Sequence, residues 1–569
     1  MVETVKLPPK SAFYSSLSED TISDEDYKFA QKVWKKFGCK NLLDYTEIYC
    51  KIDTILLAEI FQKFRKDLLV FSGLDPARYI SLPSFSFDSM MKITKCELEL
   101  PLDINIVQFI ENGIRGGLSF INTRHLKVNN ANEKIFYIDA NNLYGLAQTS
   151  KLPVGNLKFI PKSRYQNIDW YNINTEKDTG YILEVDLEYP SELHSLHADF
   201  PLAPELIEVH YENLSPYAKK TYEICSGKKK YSDSKLMNTF HPRLNYVLHF
   251  KNLKLYLNLG MKILKIHRVL SFKQKQFIKP FIELCTLARQ NSKTSFEQDQ
   301  FKKVANSTYG KTIQNVRNYL DVKLHIHEKQ LLKSASNPTF KNYVILDENL
   351  VQTNHFTPII IHDRPIFVGF TILELSKHFM YDFFYNKLLK NSPCKIELGF
   401  SDTDSFLFKV KNPKLFLEHI EPFMDFSNYP TNHPMYSSKN KSKLGFFKDE
   451  LQGKLECTEF IGLRAKCYAL NLKSDGAKIE KKTCKGLGKI AIKNRLKFKH
   501  YKNCLFKGIP KRFDFHSIRS KKHNLSTIRI NKKALSHFDS KRWLFDCGIH
   551  SVPYGSNVIK KQINVCPHC

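Results

Sequence analysis

Two aspartates, Asp402 and Asp404, interrupt an otherwise largely apolar stretch, GFSDTDSFLF, at residues 399–408. The flanking runs KIELGF and FLFKV alternate, with Ile396, Leu398 and Phe400 on one side and Phe406, Phe408 and Val410 on another. Period-two alternation on both sides of a short polar turn predicts a β-hairpin with SDTDS at its tip. On extended backbone, residues two apart share a face, so the two carboxylates are expected side by side. Like charges so placed repel unless a cation lies between them or one turns to water. The chain must therefore build a sheet whose hairpin tip either faces solvent or holds a metal.

A partner stands far upstream. In KIFYIDANNLYG, Ile135 to Ile138 form a short buried strand and Asp139 sits at its end. A carboxylate at a strand end beside an acidic hairpin can hold two Mg²⁺ ions for in-line phosphoryl transfer. Hard cations take oxygen ligands, and such a pair must touch both the attacking and the leaving oxygen. Taken alone, Asp139 serves equally well as a helix N-cap. A third piece is KKVANSTYGK, where Lys302, Asn306 and Tyr309 fall at i, i+4 and i+7 of a helix. That face offers a cation for a triphosphate and an aromatic ring for a base pair. Taken alone, it is an amphipathic helix with a snorkelling lysine.

At 569 residues the chain is too long for one core, and several subdomains are expected. Its 42% hydrophobic and 25% charged residues are those of a soluble globular protein, and 42 Phe with 27 Tyr argue against disorder. The formal net charge of +30 points to a polyanionic partner. Residues 473–523 concentrate it, with 17 Lys/Arg against 3 Asp/Glu, and no basic amphipathic helix suggests a membrane surface instead. Such a block suits backbone phosphates. Thirteen scattered cysteines suit reduced thiols in an intracellular setting, and no run approaches membrane-spanning length. MVETVKLPPK lacks the apolar core of a signal peptide.

Coarse patterning places a helix near DYKFAQKVWKKF and a second through DYTEIYCKIDTILLAEIFQKFRKDLL, whose Ile52, Ile55, Leu56 and Ile60 make a mostly apolar face. NYVLHFKNLKLYLNLG reads as a helix stopped by Gly260, and KPFIELCTLARQNSKTSFEQDQFKKVANSTYGK as two helices joined near NSKTS. FTILELSKHFMYDFFYNKLL reads as a further helix before the acidic hairpin.

Together the three segments resemble the motifs of family B DNA polymerases. DANNLYG resembles the palm motif DxxSLYP, KKVANSTYG matches KxxxNSxYG, and FSDTDS matches YxDTDS with Phe400 in place of Tyr. IRGGLSF resembles the YxGG element of protein-primed members with Ile114 in place of Tyr, and LRAKCYAL resembles the KxY element that grips a primer strand. GYILEVDLEYPSELHSLHADFPLAPE, HRVLSF, ILELSKHFMYDF and KRWLFDCGIHSVPYG resemble polymerases of Polinton/Maverick self-synthesising transposons and related viruses.

The resemblance implies an α/β (α+β) right hand of palm, fingers and thumb. It divides the chain into an exonuclease remnant at 1–80, a linker with the IRGG element and first palm segment at 81–154, and a first terminal-protein-region-like insert at 155–250. Fingers follow at 251–318, a second insert at 319–365, the palm with the SDTDS hairpin and KCY element at 366–470, and a basic thumb or C-terminal region at 471–569. Asp139 and Asp404 would be the principal ligands of two Mg²⁺ ions, with the Ala140 carbonyl on the nucleotide-side metal and Asp402 an auxiliary acid. Lys302 would contact the triphosphate, joined by Arg289 or, failing that, Lys293. Tyr144 would lie under the sugar and select dNTPs, while Asn306 and Tyr309 would line the nascent pair. Lys466 and Tyr468 would hold the primer end, and Gly116 and Gly117 of the IRGG element would contact DNA. Template, primer and dNTPs are the implied partners, with a priming protein at the inserts and no membrane. Nuclear localisation is the accompanying expectation.

Tyr49 and Asp53 in IYCKIDTILL match the last exonuclease motif, YxxxD, yet no DxE strand precedes them, so proofreading is not expected. Cys547, His550, Cys566 and Cys569 have a spacing compatible with zinc, but the first two lie in a segment the resemblance already explains, and Zn²⁺ is not expected there. His194, His197 and Asp199 are expected to hydrogen-bond within a loop. A catalytically inert DNA-binding relic is the alternative function. Reverse transcriptases fit less well, since they carry adjacent aspartates and lack the finger-helix lysine motif.

Overall fold

Strands Ile396–Asp402 and Ser405–Lys411 form the expected antiparallel hairpin, and the second pairs with Glu133–Ala140 from Ser405↔Asp139 to Lys411↔Glu133. The computed structural model describes residues 4–474, 476–521, 524–561, 565–567 and 569. Glu133–Ala140 is central to an antiparallel sheet of nine strands. The order runs Ser119–Ile121, Ile396–Asp402, Ser405–Lys411, Glu133–Ala140, Glu456–Arg464, Cys467–Ser474, Ala477–Cys484. Phe447–Asp449 also pairs with Glu133–Ala140, and His125–Lys127 with Glu456–Arg464.

The central strands are covered on both faces, which is why Ile135–Ile138 reads as a continuous apolar run rather than an alternating one. Phe136, Ile138, Phe406 and Phe408 join the largest core, together with the buried helix Ile366–Asp382 and its continuation Phe383–Leu389. Ile135, Tyr137, Phe400 and Leu407 face the other way, against Phe460 and Tyr468.

The even alternation expected of KIELGF breaks at Gly399. Leu398 pairs with Phe408 but Phe400 with Leu407, so Gly399 is an extra residue that turns Phe400 to the face opposite Leu398. A Cβ at Gly399 would approach Leu407 Cδ2 to 2.8 Å and Leu126 Cδ1 to 2.9 Å, so the bulge requires glycine.

The helix expected throughout NYVLHFKNLKLYLNLG begins only at Phe250 and runs to Asn258. Tyr246, Val247 and Leu248 instead pair with Val185, Glu184 and Leu183, since β-branched and aromatic residues buried against a neighbouring strand outweigh helical spacing. This strand, Arg243–His249, edges a four-stranded sheet with Thr179–Glu188, Lys262–Lys275 and Leu152–Phe159. The packing unit therefore extends to Lys275 and crosses the expected boundary at 250. Residues 319–365 contain their own three-stranded sheet, with the helix Glu328–Ala335.

Lys279–Asn291 and Ser295–Thr312 are the two expected helices, the second started by a Thr294–Glu297 capping box. The upstream helix Leu42–Ser72 differs from expectation in packing. It is held at its C-terminal end, where Leu68 is buried and Phe71 meets Phe281 and Phe301, while Ile52, Ile55 and Ile60 stand exposed. The basic C-terminal region packs its helix Phe498–Lys507 on Ile461, Leu463, Cys467 and Ala469 of the nine-stranded sheet, and carries a long hairpin, Lys511–Lys521 with Asn524–Leu535. Among the described residues no helix is long and apolar enough to cross a membrane.

Candidate active site

The acidic pair is assembled by register rather than by alternation. Thr403 has φ +62° and Asp404 lies in the two-residue turn, so Asp404 does not share an extended face with Asp402. It is placed beside Asp139 because the next residue, Ser405, pairs with Asp139 and the Ala140 N–H donates to the Asp404 carbonyl at 2.8 Å. Burial and the nearby Asp404 and Glu450 carboxylates push the Asp139 carboxyl up to about 7, against the pull of Lys481 and Lys302. Burial likewise raises Asp404, with Asp402 and Glu450 adding to it. Two half-buried carboxylates with this surplus of negative charge, and only oxygen donors at hand, fit a hard divalent cation. Among the described residues, only the Cys/His set treated below brings three or more ligating atoms within 4.8 Å of one another.

Two flanking acids have cationic counterparts. Lys466 Nζ lies 2.6 Å from Asp402 Oδ1, and Lys481 Nζ lies 3.1 Å from Glu450 Oε2. Glu450 is set here by its backbone N–H, which donates to the Tyr137 carbonyl at 2.8 Å.

The lysine helix flanks the acids. Lys302 and Asn306 are exposed, whereas Tyr309 is half-buried and stacks on Tyr144 at 4.5 Å and 4° between planes. Tyr144 is on the short helix Leu143–Gln148, capped by Asn142, whose side chain accepts the Gly145 N–H at 3.1 Å. Asn142 and Gly145 thus form a matched pair, since a proline at 145 would have no N–H to give. Lys302, Arg289 and Asn142 line one cleft with Lys441 and Ser442. Lys293 does not line it, and its backbone N–H donates to Glu297 at the helix–helix turn. Asp425, fully buried, holds the opposite rim by accepting from Asn141 Nδ2 at 2.7 Å and the Ser442 N–H at 2.8 Å.

Tyr468 is 6% exposed, stacked on Phe400 at 4.6 Å, with its hydroxyl 3.2 Å from that of Tyr137. It backs the acidic hairpin from the core, while Lys466 is the member of its motif that reaches the site. Gly116 and Gly117 are exposed, and a Cβ at Gly117 would meet the Thr403 side chain at 2.6 Å, so this element packs on the hairpin tip. Tyr49 and Asp53 share an exposed face of the Leu42–Ser72 helix. His197 bonds the Tyr189 hydroxyl at 2.8 Å and Asp199 accepts from Asn122, hydrogen-bonding roles as expected, whereas His194 stacks on Phe240. Cys547, His550, Cys566 and Cys569, by contrast, converge against expectation.

The family model for DNA polymerase type B, organellar and viral, matches residues 12–386. The chain belongs to this family. It is a DNA-directed DNA polymerase, and the matched range holds Asp139 and the lysine helix; the Ser405↔Asp139 register joins the later SDTDS hairpin to it. Among solved structures, Phi29 DNA polymerase with primer–template DNA is 17% identical with a TM-score of 0.48, and its ternary complex with incoming nucleotide is 15% identical with a TM-score of 0.49. Each likeness covers 90% of this chain and 73% of that chain. A family B DNA polymerase from the hyperthermophilic archaeon Pyrobaculum calidifontis is 13% identical over 75% of this chain and 37% of its own, with a TM-score of 0.25. No curated protein sequence matches the chain.

Proposed function

We propose that this polymerase adds dNMP units at the Asp139–Asp404 edge of its nine-stranded sheet, to a primer 3′-OH or to a hydroxyl of a priming protein, and so copies the linear DNA of a transposon-like or viral element. One observation carries the reading: the Ser405↔Asp139 register, which sets two carboxylates together near a helix that exposes Lys302. Mg²⁺ ions held by Asp139, Asp404 and the Ala140 carbonyl would supply Lewis-acid stabilisation of charge on the transferring phosphoryl group and its flanking oxygens.

The chain's own residues do the rest. Lys302 and Arg289 bind the triphosphate from one wall of the cleft, with Lys441 on the opposite rim. The Tyr144–Tyr309 stack walls the sugar side, leaving a deoxyribose room that a 2′-hydroxyl would lack. Asn306 faces the nascent pair from the same helix. Lys466 holds Asp402 in place and, on DNA, turns to the primer end. The IRGG-like element and the two insert-like segments support the protein-primed reading, in which only the nucleophile changes.

Primer extension by the full chain with dNTPs and Mg²⁺ on a primed single-stranded template tests the reading, a covalent protein–dNMP adduct being the product when a priming protein is supplied. Lys302→Ala should raise KM for dNTPs about 10- to 100-fold, the loss of one charge-assisted contact worth about 1.5–3 kcal/mol. An unchanged KM would place the triphosphate elsewhere. Tyr144→Val should relieve a clash of about 1–3 kcal/mol and raise ribonucleotide incorporation about 10- to 100-fold relative to dNTPs. Equal discrimination in the variant would remove Tyr144 from the sugar site.

A further inference from the structure

We propose that Cys547, His550, Cys566 and Cys569 form a structural zinc site that fastens the C-terminal cysteines to the loop that receives Arg124. The four ligating atoms all lie within 4.8 Å of one another, although 15 residues separate His550 from Cys566. His550 Nδ1 stands 3.7 Å from Cys547 Sγ, 3.2 Å from Cys566 Sγ and 3.5 Å from Cys569 Sγ. A tetrahedral zinc with Zn–N of about 2.0–2.1 Å and Zn–S of about 2.3 Å needs N···S edges of about 3.5 Å. The three observed edges bracket that value.

The loop that presents the first two ligands is built for a thiolate. Trp543–Leu544 and Ser551–Val552 pair as a small hairpin, closed by the Phe545 N–H bonding the His550 carbonyl at 3.2 Å. Within it the Ile549 and His550 N–H groups point at Cys547 Sγ, at 3.4 and 3.5 Å. Backbone donors aimed at sulfur stabilise its charged, metal-ligating form. Cys547, Cys566 and Cys569 are thiols and not disulfide partners, the form that can ligate a metal. Three sulfurs and one imidazole in a tetrahedral set select zinc, a redox-inert ion, over the oxygen-seeking Mg²⁺.

The site also has a mechanical role. The same loop gives its Gly548 carbonyl to Arg124 Nη1 at 3.0 Å and its Ile549 carbonyl to the Arg124 N–H at 2.9 Å. Arg124 lies between Ser119–Ile121 and His125–Lys127, two strands of the nine-stranded sheet, and the first of them pairs with the acidic hairpin through Ser119↔Asp402. Zinc would therefore fix the loop that receives Arg124, at a distance from the carboxylate site.

The test is the metal content of the full chain, purified reduced from zinc-supplemented medium, together with cobalt(II) exchange. One zinc per chain, visible d–d bands of tetrahedral thiolate-bound cobalt, and loss of both in a Cys566→Ser/Cys569→Ser double variant are expected. That variant changes only the tail, so its circular dichroism should match the parent's. Three results would overturn the site: a chain that carries no zinc and takes up no tetrahedral cobalt, full zinc stoichiometry retained in the double variant, or a Cys566–Cys569 disulfide in the freshly purified protein.

Discussion

Asp404→Asn should reduce primer extension about a thousandfold or more while leaving the fold and DNA binding intact. The exchange keeps the side chain's size and the Ala140 N–H bond to the residue 404 carbonyl, because that bond is to backbone. What it removes is one of the two carboxylates that the sheet register brings together. A thousandfold corresponds to about 4 kcal/mol of transition-state stabilisation, within the several kcal/mol expected when a charge that organises phosphoryl transfer is lost. The fold should not suffer. Burial, with Asp402 and Glu450 nearby, already disfavours the ionised Asp404 carboxylate, so a neutral amide relieves repulsion instead of creating it. Extension assays run beside a thermal melt and a DNA mobility shift would separate these effects. Synthesis at the parent rate by the variant would move the chemistry away from the SDTDS tip.

The parts of this site that were legible in the sequence are those written in short local patterns. Asp139 ends an apolar strand, Lys302 and Tyr309 share a helix face, and SDTDS sits between alternating runs. The structure keeps all three placements, although it joins Asp404 to Asp139 through strand pairing and not through a shared extended face. Glu450, Lys441 and Asp425 left no such trace. Each sits in a loop or beside a short strand, and Glu450 and Asp425 are brought in by contacts with distant residues, the Glu450 N–H to Tyr137 and the Asp425 N–H to Phe447. The Gly399 bulge was hidden for a related reason. Its sequence fits unbroken alternation, and only the packing of Leu407 and Leu126 shows that the phase slips. Tyr468 shows how a motif fixes position without fixing exposure, since its ring is taken up by the core behind the hairpin. The Cys/His set was visible as spacing alone; convergence over the intervening residues is a property of the fold.

Arg124→Met should cost about 3–5 kcal/mol of stability, a large effect for a single substitution. Arg124 is 1% exposed, and its guanidinium donates to four backbone carbonyls: Gly462 at 3.3 Å, Leu463 at 2.9 Å, His537 at 2.6 Å and Gly548 at 3.0 Å. Those carbonyls come from a sheet strand and from two separate stretches of the C-terminal region, so one side chain closes the tail onto the sheet. Methionine fills similar volume but satisfies none of them, and each buried acceptor left alone costs about 1–3 kcal/mol, with water entry recovering part. Lysine should rescue little, because a point charge cannot reproduce a planar fork that reaches three segments at once. The chemistry is a separate matter, since Arg124 touches none of the carboxylates. At low temperature the variant should therefore still extend primers, and on warming it should lose activity earlier than the parent. Hydrogen exchange should rise first at residues 462–463, 537 and 548–549 and last in Glu133–Ala140, whose strand is paired on both sides. Exchange unchanged at those carbonyl-bearing segments would mean that the tail is held without Arg124, and that the buried charge serves some other purpose than closing the sheet.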